Sequence, residues 1–144
     1  MFGDLAMTKM TPKVTFRGWA GHFICADTCD FKLNTLIEYE DVKIVVSTVG
    51  LLLNPLPLGD CKYTTVGHNR YFETMAWHAE LLENKFWDMD VSRPVDFESS
   101  WRYEKLDSEL EATAGHYKVI EEICEKLKKG IITNANVDKS DDPG

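Results

Sequence analysis

Two adjacent stretches constrain this chain more than any others. Phe31, Leu33, Thr35, Ile37 and Tyr39 alternate with Lys32, Asn34, Glu38 and Glu40, with Leu36 the one apolar intruder. A period of two places the first set on one buried face of a strand. The next stretch, "VKIVVSTV" at 42–49, is β-branched and apolar on both faces after Lys43, the pattern of a central strand. "YEDV" joins the two through a turn, so they pair with each other in an antiparallel sheet.

Further along, Gly50 is expected to end the second strand, and "LLLNPLPLGD" to leave the ladder, because each proline removes a donor. Residues 62–66 read as a short strand and "GHNR" at 67–70 as a tight turn. In "YFETMAWHAE" Tyr71, Glu73, Met75 and Trp77 share one face of a strand, and Phe72, Thr74, Ala76 and His78 the other. Pro94 leads to the expectation of a largely irregular segment over 84–101. The spacing of Leu106, Leu110, Ala114, Tyr117, Ile120, Cys124 and Leu127 predicts a helix over 107–129 with those residues as its apolar stripe. Ser108 and Glu111 have the spacing of a capping box, and Gly130 suits a left-handed exit. The expected fold is α+β: a small antiparallel sheet of about four or five strands packed against a long C-terminal helix. Residues 1–130 form one domain in this reading and 131–144 a flexible acidic tail.

The chain of 144 residues carries a formal charge of −8, with residues 31–105 and 106–144 each contributing −4. Affinity for phosphate backbones comes mainly from clustered Lys and Arg, so direct nucleic-acid binding is not expected. A basic surface on another protein is compatible with this charge. The most apolar stretch, 42–58, is interrupted by Ser47, Thr48, Gly50, Asn54 and two prolines, so no membrane span is expected. The opening "MFGDLAMTKMTPK" lacks the pattern of a secretion leader, and the cytoplasm is the expected compartment.

The segment "RGWAGHFICADTC" at 17–29 concentrates a cation, rings, an imidazole, glycines and thiols, as a pocket wall would. Arg17 and Arg70 are both flanked by glycine-containing segments, and a guanidinium fork suits a phosphate or carboxylate. Trp19 and Tyr71 offer flat faces for a ring. His22, His68, Asn69 and Thr48 add directional hydrogen bonds, completing the candidate ligand-binding set. Cys25, Cys29 and His22 have soft-ligand chemistry but lack the second ligand pair of a zinc site, so no metal or other cofactor is assigned. "STVG" lacks the glycine of a nucleophile elbow, and no catalytic residue is assigned.

The stretches "RGWAGHFICADTC", "NTL", "VVSTVG", "GHNRYFETMAWHAE" and "DVSRPVDF" resemble a family of small proteins encoded by tailed bacteriophages and prophages, over about residues 17–97. The resemblance implies a viral accessory protein acting in the bacterial host cytoplasm. Small phage proteins of this kind are often counter-defence factors. Three expectations follow: a pocket, completed within one chain or between subunits of a homo-oligomer, that sequesters a small nucleotide-derived immune signal; an anti-CRISPR-type acidic surface that blocks a bacterial defence protein; or an enzyme that degrades a cyclic nucleotide signal, with His22, His68 or His78 as acid or base. The two arginines and the neighbouring rings favour the first.

Overall fold

The computed structural model describes residues 11–17, 22, 26–55 and 62–134. Its elements are β1 (Lys13–Phe16), a short 3-10 turn (Ala26–Thr28), β2 (Cys29–Tyr39), β3 (Val42–Leu53), β4 (Tyr63–Thr64), β5 (Phe72–Leu81), β6 (Trp87–Pro94), β7 (Arg102–Tyr103) and α1 (Glu109–Lys128). All pairings are antiparallel, in the order β1-β2-β3-β5-β6, with β4 on β3 and β7 on β5. This is the α+β architecture expected, with seven strands and one α-helix among the described residues. No helix is long and apolar enough to cross a membrane among the described residues.

The β2–β3 hairpin forms as its alternation dictates. Tyr39 pairs with Val42 and Phe31 with Gly50, and the two-residue turn places Glu40 at φ 55°. Ile37, Val42, Ile44, Val46 and Ala76 face the helix and meet Val119, Ile120, Ile123 and Leu127 in the main core. β3 does not end at Gly50. It continues to Leu53, because Leu52 pairs with Cys29 and Thr64 and Leu53 with Tyr63, while Gly50 lets the ring of Phe72 lie where a β-carbon would stand.

Two further expectations are corrected. Trp87–Pro94 is a strand despite its proline: Pro94 sits at its last position, opposite Trp77, and the pairing register shifts between Trp77 and Ala79. Sequence position at a strand end, where a missing N–H costs no ladder bond, overrides the general rule. The helix occupies the expected residues but is turned. Ala112, His116, Val119, Ile120, Ile123 and Leu127 are buried, whereas Leu106, Leu110 and Tyr117 are exposed, Leu110 at 82%. Ser108 is at the N-cap but makes no side-chain cap hydrogen bond. The exit does follow the sequence reading, with Gly130 at φ 76°. Beyond it, Ile132 is buried against the core, and Asn134 donates to the Asp41 carbonyl at 2.8 Å. The rest of the expected tail, 135–144, lies outside the described residues.

The helix is turned by a polar lock. His116, 1% exposed, bonds Thr35 Oγ1 at 2.9 Å through Nε2 and Thr48 Oγ1 at 2.7 Å through Nδ1, and Thr48 bonds Thr74 Oγ1 at 2.7 Å. Burial pulls the His116 pKa down to about 4, so the ring is neutral and donates from one nitrogen while accepting at the other. Three strands and a helix are thereby fixed in one mutual register.

Candidate functional site

Strand alternation gives the sheet a second face, away from α1, carrying Asn34, Leu36 and Glu38 from β2, Val45 and Ser47 from β3, and Glu73, Trp77 and Ala79 from β5. Leu36, Val45 and Ala79 pack there with Trp87 and Met89 of β6. Arg17, just past β1, reaches across the same face. Its Nε donates to Asn34 Oδ1 at 2.8 Å and its Nη1 to the Trp87 carbonyl at 2.8 Å, while the guanidinium lies over the Phe86 ring, 4.3 Å from its centroid. A side chain beside one end of the strand order thus touches the other end, so the sheet curls around this face.

Arg17 differs from the other three arginines. Arg70, Arg93 and Arg102 are paired with Glu73, Asp90 and Glu104 at 2.7, 2.9 and 3.2 Å. Arg17 has no carboxylate partner among the described residues and bonds only neutral oxygens. Burial lowers its pKa, and Asp88 and Glu38, acting without touching it, partly offset that effect. Asn34 is 2% exposed, and its Nδ2 has no hydrogen-bond partner among the described residues. The amide cannot simply be reversed, since Oδ1 is the atom that accepts from Arg17. Two donor groups, one cationic and one a buried amide, are therefore left with hydrogens unused among the described residues.

One residue pair away, Ser47, the register partner of Asn34, accepts from or donates to His22 Nδ1 at 3.0 Å. His22 Nε2 lies 2.9 Å from Glu73 Oε2, and Arg70 Nε donates to Glu73 Oε1 at 2.7 Å. Burial pushes the Glu73 carboxyl up, but the bonds from His22 and Arg70 outweigh it and hold the pKa below the usual carboxylate range. The His22 ring rests against Trp77, with centroids 5.1 Å apart, and the Arg70 guanidinium lies 5.0 Å from the Trp101 centroid. Serine, histidine and carboxylate in sequence have the composition and the bonding of a nucleophilic triad, but Ser47 is 0% exposed in mid-strand, where its hydroxyl cannot meet a substrate. The arrangement holds His22 on the sheet.

The structure therefore brings together Arg17, His22 and Arg70 on one face, and converts Arg70 into half of an internal ion pair. Thr48 points the other way, into the His116 lock. His68 and Asn69 are exposed at the tip of the 67–70 turn, with φ of 24° and 60°. Tyr71 packs with Phe31, Phe72 and Ala112 on the helix side. Trp19 and Cys25 lie outside the described residues, while Cys29 is buried among Val49 and Val66. Asn34, Ser47 and Glu73 complete the face. Their signal in the sequence was a polar residue in the middle of a strand that is otherwise buried. No family model, curated protein or solved structure matches this chain.

Proposed function

We propose that this protein binds a small anionic ligand on the sheet face away from α1, without transforming it, and that the ligand is a nucleotide-derived signal of bacterial immunity held out of action by a phage counter-defence protein. One observation carries the anion-binding part: the guanidinium of Arg17, unpaired among the described residues, beside the buried Asn34 amide that has no partner among them. A cation that is partly withdrawn from water and left without a counter-charge is costly, and an anionic group offsets that cost while satisfying both donors. The phage and immune-signal parts rest on the resemblance of residues 17–97. Binding is favoured over turnover because Ser47, the hydroxyl that His22 bonds, is fully buried in mid-strand.

The reading is tested by thermal denaturation against a panel of mono-, di- and cyclic nucleotides. A ligand at a hundred times its Kd stabilises by about 2.7 kcal/mol, which is several degrees for a domain of this size. That shift is expected to vanish in Arg17→Ala and to persist in Arg102→Ala. Equal shifts in all three proteins would remove the site.

A second reading is favoured by the exposed side of the helix. Glu109, Glu111, Glu121 and Glu125 are exposed there alongside Leu110 and Tyr117, and Phe16 of β1 meets Tyr117 edge-on with centroids 5.6 Å apart. An acidic surface with apolar anchors suits a basic face on a defence protein. Charge reversal at Glu121 and Glu125 would abolish such inhibition and leave ligand shifts untouched.

A further inference from the structure

We infer that the site selects for a single negative charge, so that it takes a phosphodiester or carboxylate in preference to a phosphomonoester, diphosphate or triphosphate. This rests on the proposed anion-binding face and follows from its charges. Arg17 supplies one positive charge. Arg70 adds none, because Glu73 receives it at 2.7 Å and also faces His22 at 2.9 Å. The remaining charged groups that act on Arg17 are acids, Asp88 and Glu38. Lys43, the register partner of Glu38, is turned to the Trp87 ring, 5.5 Å from its centroid, and donates to the Glu40 carbonyl. A second or third negative charge on the ligand would find no other cation among these groups except Lys43, already held by the Glu40 carbonyl and the Trp87 ring, and would approach two carboxylates, on a protein whose formal charge is −8.

The donors fit the same class. With Nε committed to Asn34 and one N–H of Nη1 to Trp87, the hydrogens unused among the described residues are those of Nη2 and the other of Nη1, and the same Asn34 amide that accepts from Nε carries the partnerless Nδ2. A group with two equivalent terminal oxygens, a phosphodiester or a carboxylate, can accept from the guanidinium and the amide at once. The nearby rings are already faced by the protein's own groups: Phe86 by Arg17, Trp87 by Lys43, Trp77 by His22, and Trp101 by Arg70 and Arg102. Recognition of the anionic group therefore dominates, and the identity of an attached base counts for little.

Isothermal titration at 0.1 M salt with 3′,5′-cyclic AMP, 3′,5′-cyclic GMP, AMP, ATP, dimethyl phosphate and acetate separates the possibilities. The two cyclic nucleotides are expected to bind with Kd values within about threefold of each other, at least tenfold more tightly than AMP or ATP, and to lose at least tenfold in Arg17→Ala. Measurable binding by dimethyl phosphate or acetate, each weaker than the cyclic nucleotides, tells a phosphodiester source from a carboxylate one. Tighter binding of AMP or ATP, abolished by Arg17→Ala, would overturn single-charge selection and leave the anion site standing. No binding by any probe, or binding unaffected by Arg17→Ala, would overturn the site and this inference with it.

Discussion

Acidification should weaken this protein first through His116. In the folded chain the ring is locked between Thr35 and Thr48 with a pKa of about 4, against an ordinary value of 6.5. Between those values the unfolded chain binds a proton that the folded chain refuses. Stability contributed by the neutral ring is thus complete above pH 6.5 and falls as the pH drops towards 4, below which the loss levels off. At about 1.36 kcal/mol per pKa unit, the loss by pH 4 is about 3 kcal/mol. Comparison with His116→Gln isolates it, because His78, whose pKa burial also lowers, and the carboxylates titrate in both proteins. Urea denaturation followed by tryptophan fluorescence at pH 7, 6, 5 and 4 should show the stability advantage of the native chain over His116→Gln shrinking by about 3 kcal/mol across the series. A gap constant to within about 0.5 kcal/mol would show that the ring is not held neutral by burial, and the polar lock would fail as an account of how α1 is fixed.

Other perturbations have equally definite outcomes. Gly115→Ala places a methyl group inside the Tyr103 hydroxyl, so it should destabilise by about 1–3 kcal/mol despite the better helix propensity of alanine, read by urea midpoint. Glu73→Gln removes the charge that Arg70 and His22 share and should cost about 3 kcal/mol, with its fluorescence spectrum reporting the freed neighbourhood of Trp77 and Trp101. Burial raises the Glu122 carboxyl, but Lys126, the Ser99 hydroxyl and the backbone N–H groups of Glu98 and Ser99 together bring it to about 2. Its contribution is present above pH 4.5 and is lost as the pH falls through 2; because solvent screens this group, Glu122→Gln at pH 7 should cost only about 1 kcal/mol in the same assay.

Much of the fold was legible because local pattern and tertiary demand coincide in it. The β2–β3 hairpin, the turn at 67–70 and both faces of β5 follow from alternation and turn chemistry alone. β1 and β6 do not follow from the sequence: β1, with four residues, owes its pairing to the far end of β2, and β6 forms a hairpin with β5 but carries the proline that argues against a strand. The helix stripe was misplaced for a specific reason. A reading that counts histidine as polar rejects the face containing His116, and only the hydroxyls of Thr35, Thr48 and Thr74 make that face buriable. The site was partly legible for the same kind of reason. Arg17 and His22 were evident as unusual side chains, but their partners Asn34, Ser47 and Glu73 are reached across strands, and Thr48, adjacent to Ser47, faces the opposite side because side chains alternate along a strand.

The anion-binding claim is tested most directly by native mass spectrometry of the full chain and of Arg17→Ala, each expressed in bacteria whose nucleotide-signalled defence has been triggered by phage. The native chain should carry a small anion that is released intact on heating, and the variant should be recovered folded without it. A native chain that emerges bare, or a variant that retains the same molecule, would contradict the assignment of Arg17.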